Sequence, residues 1–427
     1  MAVHCTGGSS VNENPLQVDT EEGPVLGHYI GTGSVRVREF LGIPYASPPV
    51  GSLRFAPPEP AKNRSGQVYN ASFMAPMCPQ NVQVPAIEMS EDCLYLSIYT
   101  PAIIGAEPLP VFFWIYGGSF LYGGGAGYGW GTLEGSKIYN GYTLAPQGVI
   151  VVAINYRVGA LGFLKSADMT GNYGFSDQRL ALEWVNRNIK AFGGDPSRIT
   201  IGGQSAGAQS VLAHLASPLS RPLFSQAIME SAPIGLPFHN NVTADKVAGE
   251  FAKYLDCSPG NLTCLRLPDV ATVLKAQGYA EENSFDIFDI LKDFEAFNPT
   301  VDNEQLLTQP FFTLNSLLPP SETKPLLAGS NLNDALEFVY AEFPLPEGQI
   351  STYGILVDTY GFGDAPGVSQ TYPFSAPDGR VNVSRASTDM LFYCALRNIS
   401  RGKPYSDAQS SAPAFLYRYF LYLTYKN

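Results

Sequence analysis

The sequence predicts an α/β protein: a mostly parallel central sheet flanked by helices, with an N-terminal antiparallel hairpin and large insertions. Three observations carry this. First, Pro110-Val111-Phe112-Phe113-Trp114-Ile115-Tyr116 and Val149-Ile150-Val151-Val152-Ala153-Ile154-Asn155-Tyr156 are unbroken apolar runs. Such runs fit strands buried on both faces, and their shortness and β-branched content favour strand over buried helix. Second, Asp177 to Phe192 carries an apolar stripe of Leu180, Trp184, Ile189 and Phe192, with Arg179, Glu183 and Lys190 outside it, which is helical spacing. Third, Ile199-Thr200-Ile201-Gly202-Gly203 is a β-branched run ending in glycine, and a helix-compatible segment through Leu212 and Leu215 follows. Strands alternating with helices in this way make a parallel sheet covered by helices.

In chain order, Val25–Ile30 and Val35–Leu41 are β-rich runs broken by Gly31 and Gly33, as in an antiparallel hairpin. A proline-rich loop through Pro48, Pro49, Pro57, Pro58 and Pro60 comes next, and Leu94–Tyr99 is a further strand. Gly193-Gly194-Asp195-Pro196 ends the helix and turns the chain. Pro233 to Pro325 is more polar and is expected to form insertions over the sheet rather than a separate domain. Leu326–Gly329 is a later strand and Phe415–Tyr425 a final aromatic, β-prone run. No linker divides the chain, so residues 18–427 are expected to form one domain, with 1–17 as an N-terminal tail.

With 427 residues and 45% apolar content the chain can bury a large core. A net charge of −12 argues against nucleic acid and anionic membrane surfaces as partners. No apolar run reaches the ~18 residues of a membrane span, and Met1–Thr20 lacks the apolar centre of a secretory signal. Two features nevertheless point to a secreted, extracellular protein. Six glycosylation sequons occur, at Asn63, Asn70, Asn241, Asn261, Asn382 and Asn398. Six cysteines include two locally spaced pairs, Cys78 with Cys93 and Cys257 with Cys264, each able to staple a loop. Zinc is the competing reading, but no C-x-x-C and no nearby histidine supports it, so disulfides are preferred. No metal or other cofactor is called for.

The chemistry centres on Gly203-Gln204-Ser205-Ala206-Gly207, a G-x-S-x-G strand-to-helix turn. The turn is too tight for side chains beside the serine, whose hydroxyl must stand clear of the sheet on a strained backbone. The helix that starts there aims N–H groups and its positive dipole end at whatever the serine attacks. The bland alternative is a glycine-rich turn with a solvated serine. An acyl-transfer serine also needs oxyanion donors. Tyr116-Gly117-Gly118-Ser119-Phe120 follows directly on an apolar strand and is expected to supply them from Gly118 and Ser119, with Ala206 as the remaining N–H; the bland alternative is that Gly117 and Gly118 only turn the chain.

At this point the chain resembles the type-B carboxylesterases, the esterase, lipase and cholinesterase family of the α/β-hydrolase fold. The matching segments are Phe40–Ala46, Pro49–Phe55, Ser90–Leu96, Tyr116–Phe120, Asn155–Gly159, Asp177–Leu182 and Phe192–Pro196, in the family's order. The resemblance implies a carboxylic ester hydrolase acting through an acyl-serine on a small-molecule or lipid ester. It implies no cofactor and leaves the oligomeric state open. Family order is serine, acid, histidine. Gly329-Ser330-Asn331-Leu332-Asn333-Asp334-Ala335 resembles the acid loop, which makes Asp334 the triad acid, with Asn333 and Glu337 as close neighbours.

The base does not follow the pattern. The four histidines are His4, His28, His214 and His239, and none matches the family's catalytic histidine, which follows the strand resembling Phe415–Phe420. His214 is expected in a structural place on the helix after the serine. The resemblance therefore implies a C-terminally incomplete chain, and Cys394, with no cysteine after it, agrees. The alternative is a catalytically silent binding protein or a non-functional product. Gln204 replaces a common glutamate, removing a negative charge beside the site, and the Cys78–Cys93 loop contains no tryptophan. Both count against a cholinesterase, which needs a cation–π partner for choline.

Overall fold

The computed structural model describes residues 14–82, 88–103, 105, 107–125, 139–166, 168–284, 295–344, 365–374, 377–406 and 412–419. Twelve strands run through these residues: β1 (Gln17–Thr20), β2 (Gly23–Leu26), β3 (His28–Ile30), β4 (Val37–Pro44), β5 (Tyr69–Asn70), β6 (Tyr95–Pro101), β7 (Leu109–Ile115), β8 (Ile150–Ile154), β9 (Gly194–Gln204), β10 (Gln226–Glu230), β11 (Leu326–Asn331) and β12 (Ala414–Tyr419). Nine form the main sheet in the order β12-β11-β10-β9-β7-β8-β6-β4-β3, and β1, β2 and β5 form a small one. From β12 to β8 every neighbouring pair is parallel. From β8 through β6 and β4 to β3 the pairs are antiparallel. This is the α/β-hydrolase architecture.

The apolar runs form the middle of this sheet because nothing in them needs water. Val111, Phe113 and Ile115 on β7 and all five residues of β8 are buried. Helix α1 (Gly159–Phe163) follows β8, α2 (Tyr173–Asn188) precedes β9, and α3 (Ala206–Ala216) follows it. The stripe expected over Asp177–Phe192 divides in two: the last four residues, Ile189–Phe192, tighten into a 3₁₀ turn that Gly193 closes with φ 92°. A buried ion pair welds this layer to the sheet. Arg157, just after β8, meets both Asp177 carboxylate oxygens at 2.8 and 2.7 Å. Both side chains are almost wholly buried, so removing either one strands the other's charge, at a cost of about 3–5 kcal/mol.

Two expectations are corrected. Val25–Ile30 is not one strand of the hairpin. The chain breaks at Gly27, where a Cβ would lie 2.5 Å from the Glu39 carbonyl and the Phe40 ring. Val25 therefore belongs to β2 of the small sheet, and only β3 pairs with β4. Nor does Gly194-Asp195-Pro196 simply turn the chain. The residues belong to β9 as an irregular stretch: register against β7 jumps from Leu109↔Gly194 to Val111↔Ile199. Asp195 fills the irregularity by accepting from the Ser197 N–H and hydroxyl at 2.9 and 2.6 Å.

The expected insertions follow β10. Helices α4 (Asn241–Tyr254), α5 (Leu262–Leu265) and α6 (Val270–Ser284) occupy them. Gln277 of α6 anchors them, accepting the Ala160 N–H of α1 at 3.0 Å. Both cysteine pairs are disulfides, Cys78–Cys93 and Cys257–Cys264. Cys394 is a free, exposed thiol. His4, Cys5 and the stretch from Phe420 to Tyr425 lie outside the described residues.

Candidate active site

Ser205 stands where β9 passes into α3, with φ 55° and ψ −124°. That is strained backbone for a residue bearing a Cβ. The surrounding glycines are required by contact distances. A Cβ on Gly203 would meet the Gly207 backbone at 2.5 Å, and one on Gly207 would meet the Ile115 carbonyl at 2.1 Å. Gly203 and Gly207 therefore let α3 settle directly on β9 and β7. Two backbone bonds hold the serine itself. Its N–H donates to the Glu230 carbonyl and its carbonyl accepts from the Gln209 N–H, both at 2.9 Å.

The glycine loop after β7 comes up against this turn. A Cβ on Gly117 would lie 2.4 Å from the Gln204 carbonyl and 3.1 Å from Cβ of Ser205. Gly118, Ser119 and Phe120 take φ values of 119°, 53° and 57° in succession. The Gly118 carbonyl accepts from Leu121 and Tyr122, each at 2.9 Å. Phe120, fully buried, anchors the loop edge-on to Phe163 and Phe238. Gly118 and Ser119 thus lie in the loop that abuts Ser205, and Ala206 is the first residue of α3.

Asp334 lies past the end of β11. Its Oδ1 accepts from the Ser231 hydroxyl at 3.0 Å and from Asn331 Nδ2 at 2.7 Å; its Oδ2 accepts from the Asn331 N–H at 2.9 Å. Partial burial raises its carboxyl above the usual aspartate range, and these donors work against the rise. Asn333 and Glu337 are exposed. Three adjacent parallel strand ends are thereby linked. The Ser205 N–H reaches Glu230 on β10, the Ser231 N–H reaches Gly329 on β11 at 2.7 Å, and the Ser231 side chain reaches Asp334. This is the carboxyl edge of the parallel strands, where open α/β sheets bind ligands.

Two of the three described histidines, His214 and His28, have their rings engaged elsewhere. His214 is fully buried on α3, stacked on Phe175, with Nδ1 2.9 Å from the Ser220 hydroxyl and Nε2 3.1 Å from Gln178 Oε1. Burial drives its pKa down to about 3. His28, on β3, is 3.0 Å from the Glu39 carboxylate. His239 is buried, its N–H donating to the Pro299 carbonyl at 3.0 Å and its carbonyl accepting from Val301 at 2.8 Å. Of the six sequon asparagines, five are exposed. Asn382 is buried and its Nδ2 donates to the Pro373 carbonyl.

Sequence reasoning missed several residues. Ser231 carried no signal beyond following a short strand. Glu230 pairs in register with Gln204 on the neighbouring strand, and burial raises its pKa. Glu295 is buried with its pKa pushed up to about 7 by desolvation. It accepts from Gln209 Nε2 at 3.3 Å, one helical turn beyond Ser205. Among the described residues no cluster of histidine, cysteine and carboxylate could hold a metal ion, and no helix is long and apolar enough to cross a membrane.

Comparison with known proteins agrees with this geometry. The carboxylesterase family matches over residues 14–352. The chain is 33% identical over 403 residues to the crystal protein of Dictyostelium discoideum, covering 91% of this chain and 69% of that protein. It is 38% identical over 355 residues to a cholinesterase of Mus musculus, covering 78% of this chain but only 56% of the mouse protein. Among solved structures, a PNB esterase superposes with a TM-score of 0.76 at 32% identity, covering 94% of this chain and 79% of the esterase. The chain belongs to the carboxylesterase family.

Proposed function

We propose that this protein is a carboxylic ester hydrolase in which Ser205 is the nucleophile, Asp334 the triad acid, and the N–H groups of Gly118, Ser119 and Ala206 the oxyanion donors. The observation that supports the reading is the strained Ser205, against which the Gly117 backbone packs and whose N–H is bonded to Glu230, the neighbour of the Ser231 that bonds Asp334. In the reaction the Ser205 Oγ bonds to the ester carbonyl carbon and the carbonyl electron pair moves to oxygen. The donors hold that oxyanion; its electron pair then returns to re-form the carbonyl as the C–O bond to the alcohol breaks, and the proton lost from the Ser205 hydroxyl goes to the leaving alkoxide. Water then attacks acyl-Ser205 by the same route and releases the acid.

The substrate is a small-molecule or lipid ester, and the sequons with the two disulfides support a secreted protein.

Proton transfer sets the rate. His28 and His214 are held by other partners, and the hydrogen bonds that Asp334 accepts come from Ser231 and Asn331 rather than from an imidazole. Without a base, Ser205 stays a neutral hydroxyl at pH 7 and attacks slowly. The proposed activity of these 427 residues is therefore slow acyl transfer. Mass spectrometry after hours with p-nitrophenyl acetate tests the assignment. The expected result is one acetyl group on Ser205, absent from Ser205→Ala. Acetylation spread over lysines with Ser205 unmodified would reject it.

A further inference from the structure

The glycine loop is held from outside as well as by its own bonds. Gly123, at φ 115°, packs back on the loop's origin so closely that a Cβ there would lie 2.7 Å from the Gly117 carbonyl and 2.3 Å from the Tyr116 ring. Whatever fixes Gly123 therefore fixes the backbone that leads into Gly118 and Ser119. The group that does so comes from the disulfide loop. Gln80, two residues after Cys78 and buried, grips both backbone groups of Gly123. Its Oε1 accepts the Gly123 N–H and its Nε2 donates to the Gly123 carbonyl, both at 2.8 Å, and Nε2 also donates to the Cys78 carbonyl at 3.0 Å.

A second amide repeats the link nearby. Asn155 Oδ1 accepts the Gly125 N–H at 2.8 Å while its Nδ2 donates to the Pro76 carbonyl at 2.9 Å. The Cys78 segment and the glycine loop are thus joined twice by primary amides. At neutral pH an amide presents a donor and an acceptor side by side in this way, which an ionised carboxylate does not. In a buried site an unmet donor or acceptor is costly, which makes the grip stiff.

We infer that Gln80 is a positioning residue for the oxyanion donors, and that the Cys78–Cys93 loop serves as the mount from which it holds the Gly117–Gly123 turn. The inference rests on reading Gly118, Ser119 and Ala206 as those donors. Gln80 touches no reacting atom; it acts through Gly123. Its effect falls on the transition state, where donors must meet a developing charge, and much less on ground-state binding.

The test measures p-nitrophenyl acetate hydrolysis by the full chain, Gln80→Leu and Gln80→Glu, together with hydrogen exchange over residues 117–125. Loss of a donor's placement costs on the order of 10² in rate. Gln80→Leu is expected to lose about that factor in kcat, with KM within about twofold and faster exchange at Gly123. Gln80→Glu keeps the acceptor for the Gly123 N–H but donates to the Gly123 carbonyl only when protonated. Its kcat relative to wild type is therefore expected to rise as pH falls, measured only where urea unfolding shows the variant fully folded, because a buried carboxylate also regains stability on protonation. This second variant decides the question if Gln80→Leu does not fold. A wild-type chain that accelerates hydrolysis, with both variants matching it at every pH, would overturn the inference and leave the proposed function standing. A wild-type chain with no acceleration over buffer would overturn both.

Discussion

The hydroxyl of Ser231 donates a 3.0 Å hydrogen bond to Oδ1 of Asp334, joining the ends of two neighbouring parallel strands. That bond, with those from Asn331, favours the ionised carboxylate against the burial that disfavours it. Ser231→Ala is expected to raise the Asp334 pKa further and to cost about 1 kcal/mol of stability. Carbon-13 NMR titration of the Asp334 carboxyl and urea unfolding would measure the two effects. An unmoved titration curve would show that the bond does not act on the carboxylate.

His214 is neutral in the fold, accepting from the Ser220 hydroxyl at Nδ1 and donating to Gln178 from Nε2. Its folded pKa is depressed to about 3 from 6.5, so the unfolded chain binds the extra proton more readily. Its contribution is complete above pH 6.5 and is lost as pH falls toward 3, about 5 kcal/mol in all. Unfolding free energies across this window, compared with His214→Gln, are expected to show a steeper acid loss for wild type. Parallel curves would contradict the burial of a neutral imidazole.

Glu295 gives the opposite slope. Burial raises its folded pKa to about 7 from 4.5. The native state therefore holds the proton longer than the unfolded chain, and stability falls as pH rises from 4.5 toward 7. The expected loss is about 3 kcal/mol. Glu295→Gln keeps the size and a donor–acceptor pair for Gln209 and Asn298 but does not titrate. It is expected to be more stable than wild type above pH 7 and to lose that advantage near pH 4.5. Equal stabilities at both ends would remove the buried carboxyl from the account.

Among the sequons, Asn63, Asn70, Asn241, Asn261 and Asn398 present their side chains to solvent, whereas Asn382 is enclosed against Pro373. A glycan at Asn382 would have to displace that packing. Folded protein from a eukaryotic secretory host is expected to carry glycans at exposed sequons and none at Asn382, as glycopeptide mass spectrometry would show. Occupancy of Asn382 in folded, monodisperse protein would contradict this.

What the chain makes legible is local. The runs at Val111–Ile115 and Ile150–Ile154 announce themselves as buried strands, and Gly203 and Gly207 announce a strand-to-helix contact too close for side chains. Asp334 is assigned through resemblance alone, since nothing in a loop aspartate tells of Ser231, 103 residues away. Gln80 and Gly123 are 43 residues apart and Gln209 and Glu295 are 86 apart. Neither pairing has a periodicity or a motif; each is created by packing. The misreading of Val25–Ile30 has the same source. Gly27 ends a strand because Phe40 presses on it, not because of its immediate neighbours.

The central claim is that Ser205 sits in a formed acyl-transfer site whose base is none of the described histidines. Steady-state p-nitrophenyl acetate turnover by these 427 residues, beside Ser205→Ala and His239→Ala, tests it most directly. In subtilisin, loss of the triad histidine costs on the order of 10⁶ in kcat, while oxyanion donors and binding alone retain about 10³–10⁴ over water. The account predicts turnover in that residual range, unchanged by His239→Ala. Rapid turnover that Ser205→Ala and His239→Ala each abolish would contradict it and make His239 the base.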